Sequence, residues 1–265
     1  MSWETVLGRV AFSNCDPIFT AINPKWKILP APPSWLTGHL LRRDCLCAPI
    51  PTADYAKYHD QLSLIPDLAI VSKAKVGSVL LLGSRSIEDM RDIALPSDSS
   101  TSVVLLKWIL KQRGLDPKFI ETGPDMDIML SQCDGALLIG DRALTASHKF
   151  PDLVKLDLGS EWSRITKLPM VFGVFAARRD APIDVLRLAK QDMVNQYKKF
   201  QDDPSHRSKV ISISSEKLGF SETRISDYFV DEVSNLLDGD GIKGLGMFLR
   251  DVCGLEHAPT WFDLN

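Results

Sequence analysis

The hydroxyls of Ser99, Ser100, Thr101 and Ser102 follow one another directly in residues 93–114, IALPSDSSTSVVLLKWILKQRG, between a short apolar run and a strongly apolar helical pattern. A helix that starts at such a turn sets the unpaired N–H groups of its first turn, with their partial positive charge, beside the hydroxyls. A carboxylate or phosphate fits that arrangement; the plainer alternative is that one serine caps the helix. Other chemistry is thinner. His39, His59, His148, His206 and His257 show no metal-ligand spacing, and only His148 falls near another candidate segment. Arg9 and Arg178 flank apolar runs and could reach a carboxylate or sit in rim ion pairs. Gly241, Gly244 and Gly246 lack the preceding strand that a nucleotide loop needs, and read as a turn into a helix holding Met247, Phe248 and Val252.

The elements that must position these residues alternate. Short apolar runs at 9–12, 46–50, 76–82, 93–95, 136–139 and 170–177, flanked by Gly, Pro and Asp, read as buried strands of an α/β fold. Residues 102–113 read as a helix packed on two sides, with only Lys107 and Lys111 as a solvent stripe. Leu186, Ala189, Met193, Tyr197 and Phe200 form one amphipathic stripe, and Ile225, Phe229, Val233 and Leu236 another. Pro30, Pro32 and Pro33 mark an early loop. VGSVLLLGS and LPMVFGVFAAR carry glycine inside long apolar runs, as expected of strands that form a hinge between two lobes.

With 265 residues, 45% hydrophobic and 25% charged, the chain can bury one large core or two modest ones. Its net charge of −3 without a Lys/Arg block excludes an electrostatic footprint for nucleic acid or an anionic membrane. No window approaches about 20 uninterrupted apolar residues, and MSWETVLGRVAF lacks a secretory pattern, so the expectation is a cytoplasmic protein. Five cysteines, an odd number, point to reduced thiols; Cys45 and Cys47 have no partners at zinc-site spacing, and no metal site is expected.

Several segments, in order, resemble chorismate dehydratase, the first enzyme of the futalosine route to menaquinone: GRVAFSNCDPIF, APIPTADYAKY, VGSVLLLGS, SDSSTSVVLL, ALLIGDRAL and DLGSEWSRITKLPMVFGVFAAR, spanning most of residues 8–177. The resemblance implies a type 2 periplasmic-binding-protein-like α/β fold with a ligand cleft between two lobes, lobe 1 from residues 1–83 and 173–265 and lobe 2 from 84–172. It implies a hydro-lyase that dehydrates chorismate, a dicarboxylate, to 3-[(1-carboxyvinyl)oxy]benzoate. Aromatisation drives that loss of water, so no cofactor is expected. Where this family usually reads SYLNTLP, the chain has Cys15 and Asp16 after the retained Asn14; either Asp16 points away from the substrate or specificity has shifted.

On this resemblance Asn14 stands at the reacting centre, orienting the substrate or bonding developing charge, since a neutral amide is no general base. Ser100, Thr101 and Ser102 suit one carboxylate, Thr52 the other or a hydroxyl, and Ser78 can point into the cleft, each with a cap or a local hydrogen bond as its alternative. Gly140 and Asp141 complete the candidate site. The base is either the substrate's own enolpyruvyl carboxylate or Asp141, which follows a strand end and could instead be a helix cap. The rivals are 1,4-dihydroxy-6-naphthoate synthase, which typically opens with an absent SPCPNDTF, and a small-carboxylate-binding or sensor protein. No nucleic acid or membrane partner is expected, and a homodimer is left open.

Overall fold

The computed structural model describes residues 2–264 and contains two sheets. The strands run β1 (Val6–Val10), β2 (Lys27–Ala31), β3 (Cys47–Pro51), β4 (Leu62–Ser72), β5 (Val79–Gly83), β6 (Asp92–Pro96), β7 (Lys118–Thr122), β8 (Gly135–Ile139), β9 (Val154–Asp157), β10 (Met170–Arg178) and β11 (Ser234–Leu236). The first sheet has the order β11-β4-β10-β3-β1-β2 and the second β7-β6-β8-β5-β9. Within each, three strands pair in parallel, β1 with β2 and β3 in the first and β6 with β7 and β8 in the second, and one strand is inserted antiparallel: β10 between β3 and β4, β5 between β8 and β9. Strands buried on both faces, such as β3, β5 and β8, carry continuous apolar runs because helices cover both sides.

The chain leaves the first sheet at Ser72 and enters the second at Val79, so residues 73–78 make the crossing. The strand at 79–83, expected in the first lobe, belongs to the second sheet, where Leu81 pairs with Leu137 and Leu156. Nor is either glycine-bearing strand a hinge: each lies inside its own sheet, and Gly173 marks an irregularity where β10 pairs with β4. The return passes through a helix after β9.

The helices are α1 (Asp16–Phe19), α2 (Pro33–Leu41), α3 (Thr52–Lys57), α4 (Thr101–Gln112), α5 (Met126–Gln132), α6 (Gly140–Lys149), α7 (Leu158–Thr166), α8 (Ile183–Asp202), α9 (Pro204–Leu218), α10 (Glu222–Asp227) and α11 (Gly239–Met247). None is long and apolar enough to cross a membrane. In α4, Leu105, Leu106, Ile109 and Leu110 are buried while Lys107 and Lys111 face solvent. The stripe of Leu186 to Phe200 packs α8 on the core. The stripe from Ile225 is not one helix: α10 passes into a π-helical turn, Tyr228–Glu232, and Leu236 sits in β11.

The three glycines near the carboxy terminus lie inside α11 rather than in a turn before it. Gly244 lets that helix touch the strand connection at Pro169, whose carbonyl oxygen would sit 2.1 Å from an added Cβ; Gly246 faces open space. Gly244→Ala should therefore lower stability by about 1–3 kcal/mol through overpacking, while Gly246→Ala, gaining only helix propensity, should raise it by up to ~1 kcal/mol. Urea midpoints that moved in the same direction for both variants would contradict this packing.

Candidate functional site

The carboxyl ends of β1, β3 and β8 face one another across the gap between the sheets, the position where open α/β sheets bind ligands. A cavity of about 60 Å³ lies there. Apolar walls come from both sheets, including Val10, Ile50, Ile70, Ile139 and Phe172. Its polar lining is Asn14, Ser78, Ser99, Thr101 and Ser102, and among the described residues no charged side chain lines it.

Asn14 sits in the short 3-10 turn Ser13–Cys15, after the extended Phe12. Its main-chain oxygen accepts a hydrogen bond from Asn235 Nδ2 at 3.1 Å, and its side-chain Oδ1 is buried without a partner. Such an orphaned acceptor at a cavity wall is a site waiting for a donor. Opposite it, α4 begins. Thr101 and Ser102 are buried and line the cavity, while Ser100 occupies the N-cap position, makes no side-chain cap bond and does not line it. Thr101 Oγ1 accepts from the Ala53 N–H at 3.1 Å, so its own proton is free for a ligand. The first-turn N–H groups of this twelve-residue helix supply the partial charge for an anion.

Two expected site residues turn elsewhere. Thr52 is buried but absent from the lining: its hydroxyl donates to the Val171 carbonyl at 2.7 Å and ties the start of α3 to β10. Asp141 also stays out of this cavity, because its carboxylate accepts from the Ser13 N–H at 2.9 Å and the Ser13 hydroxyl at 3.2 Å, with Lys217 Nζ 3.9 Å away. Burial pushes the Asp141 carboxyl above the usual carboxylate range, opposed by the Ser13 N–H and the Lys217 ammonium. Beside it Gly140 does line the cavity. Its φ is +61°, and a Cβ there would meet the Phe12 ring at 2.4 Å, so only glycine lets the two lobes approach this closely.

Asp16 points away from the cavity. It is buried against Arg9, which it pairs with, accepts from Ser214 Oγ at 2.8 Å and lies 4.0 Å from Lys217. Arg9 is thus committed, as is Arg178, which pairs with Asp180 at 2.9 Å. Burial pushes the Cys15 thiol up to about 12, so it stays protonated. All five cysteines are free. His148 is exposed and sets its ring edge-on to Phe220.

Residues 5–252 match the menaquinone biosynthesis family. The chain belongs to that family. A chorismate dehydratase of Thermus thermophilus is 28% identical over 278 residues, covering 97% of this chain and 98% of the relative. Among solved structures, a protein of Archaeoglobus fulgidus aligns with a TM-score of 0.73 and 18% identity, over 94% of this chain and 97% of its own. A Candida albicans protein, described as exhibiting the generic periplasmic binding protein structural fold, aligns at 0.66 with 14% identity over 95% and 89%. This family member has that fold.

The sequence did not point to the carboxy-terminal residues that complete the site: Val233 lines the cavity, Asn235 holds Asn14, and Tyr228 bonds Ser78. They lie around the π-helical turn, which interrupts the helical stripe that the sequence suggests from Ile225 to Leu236. Asp141→Ala removes the acceptor that joins α6 to the turn bearing Asn14. In X-ray scattering the ligand-free variant should show a larger radius of gyration than the parent protein; superimposable profiles would mean that other contacts hold the seam closed.

Proposed function

We propose that this chain is an enzyme, a hydro-lyase that converts chorismate to 3-[(1-carboxyvinyl)oxy]benzoate on the futalosine route to menaquinone, working in the cytoplasm where its substrate is made. The observation that carries this reading is a cavity that pairs the α4 start with the unpartnered amide oxygen of Asn14. Family membership and the chorismate dehydratase relative supply the substrate.

The substrate enters between two lobes, one built on residues 2–72 and 170–264 and the other on 79–157. The lobes must part to admit it: an engineered cavity of about 150 Å³ accommodates benzene, and the closed cavity here holds about 60 Å³. One carboxylate binds at the N–H groups of α4 and the hydroxyls of Thr101 and Ser102. Closure excludes water, and Asn14 orients the ring. The enolpyruvyl carboxylate of the substrate takes the proton from C3, the C–H electron pair becomes a ring double bond, and the C4–O bond breaks with its pair on oxygen. The proton and the departing hydroxide leave as water, and the ring is aromatic.

Purified protein incubated with chorismate should yield a species lighter by one water on chromatography with mass spectrometry, absent without protein. Binding without that product would instead indicate a carboxylate sensor. Asn14→Ala should fold as the parent does, by circular dichroism, and lose about 10²-fold or more in kcat, the size of one lost stabilising contact at a reacting centre. Parent-like turnover would remove Asn14 from the reaction.

A further inference from the structure

Ser78 and Tyr228 form a hydroxyl pair with only one hydrogen left to give. Ser78 lies at the end of the crossing into the second sheet, is buried, and lines the cavity. The Tyr228 hydroxyl, fully buried behind it, donates to Ser78 Oγ at 3.0 Å. Ser78 in turn donates to the Val76 carbonyl at 3.3 Å, a long bond that a better acceptor in the cavity would replace. Burial pushes the Tyr228 phenol far above its ordinary range, so it keeps its proton and serves only as a donor.

Three N–H groups beside Ser78 are spent. The N–H of Gly140 bonds the Ser78 carbonyl at 2.7 Å, and the N–H groups of Val76 and Gly77 bond the Asp157 carboxylate at 3.1 and 2.8 Å. A carboxylate, with two oxygens and about four acceptor positions, calls for several donors. The single Ser78 hydrogen matches a single oxygen. Tyr228 opens the π-helical turn Tyr228–Glu232, and such turns recur where a side chain is re-aimed at a functional site.

Building on the function proposed above, we infer that Tyr228 is a positioning residue: by occupying a lone pair of Ser78 Oγ, it makes Ser78 a donor to the C4 oxygen of the substrate as that oxygen departs. Charge grows on this oxygen only as the C–O bond breaks, so the bond strengthens in the transition state and acts on kcat. No proton leaves Tyr228 or Ser78. The departing hydroxide is protonated by the carboxylic acid formed when C3–H is broken, and donation along the pair is reinforced by the chain of two hydrogen bonds.

The test is steady-state kinetics on chorismate with Tyr228→Phe, Ser78→Ala and the double variant, each checked by thermal unfolding. Tyr228→Phe should lower kcat about tenfold with KM within about twofold of the parent, the size of one bond to a charged group. Ser78→Ala should lose at least as much, and the double variant no more than Ser78→Ala alone. Parent-like kcat in Tyr228→Phe, a loss confined to KM, or additive losses would each overturn the inference. Should Tyr228→Phe fold poorly, Ser78→Ala decides alone, and unchanged kcat there overturns it. A parent protein that fails to dehydrate chorismate removes the proposed function and this inference with it; an active parent beside an unaffected Tyr228→Phe removes only the inference.

Discussion

The bond from the Ser13 N–H to the Asp141 carboxylate joins one lobe to the other immediately beside Asn14, and the site depends on it. Ser13 begins the turn that carries Asn14, and Asp141 follows the glycine against which Phe12 packs. Phe12 on Gly140, the Asn14 turn and the cavity thus share one seam. A hydrogen bond to a charged group contributes roughly 1.5–3 kcal/mol. The Arg142 guanidinium over the Phe12 ring, 5.3 Å from its centroid, and the Ala53–Thr101 bond widen the seam along both sides of the cavity.

Behind this seam lies a buried charge cluster. Asp16 is enclosed by Arg9 and Ser214, with Lys217 reaching Ser13 Oγ at 3.3 Å and lying between the Asp16 and Asp141 carboxylates. An isolated buried carboxylate beside a dianion site would repel its ligand; a paired one carries no net field into the cavity. The arrangement is costly to interrupt, because deleting one partner of a buried pair costs about 3–5 kcal/mol. Cys15 and Asp16 thus form the support under the Asn14 turn and do not line the cavity.

β1, β3, β6, β8 and α4 were legible because each is a short apolar run or a strongly periodic helix bounded by turn residues, whereas β7, with Lys118, Glu121 and Thr122, is not. β2 was hidden by Pro30, which is tolerated because β2 is an edge strand. β4, the longest strand, was hidden by Pro66 and by Asp67, whose φ of +70° marks the irregular stretch beside β10. At the candidate site, the α4 hydroxyls and Asn14 could be read as local motifs, but Val233 reaches the cavity, and Tyr228 and Asn235 reach its lining residues Ser78 and Asn14, across a break in helical period. Thr52 and Asp141 illustrate the converse: both stand at helix starts near the cavity, and both are taken by closer partners across the fold, a competition that no local pattern displays.

The uncharged lining bears directly on the proposed elimination. An arginine on the enolpyruvyl carboxylate would bind the ground state tightly and, by favouring the ionised form, lower the pKa of that carboxylate by 1–3 units. Without an arginine that carboxylate is spared this lowering, and apolar walls such as Ile50, Ile139 and Phe172 favour its neutral, protonated form by excluding water. A solute-binding protein gains from the strongest grip on its ligand, whereas an enzyme that borrows its base from the substrate gains from a weaker one. Arg9 and Arg142 are turned onto Asp16 and Asp98 and do not line the cavity. Under the proposed elimination, that distribution leaves the substrate's own carboxylate as the group that takes the proton.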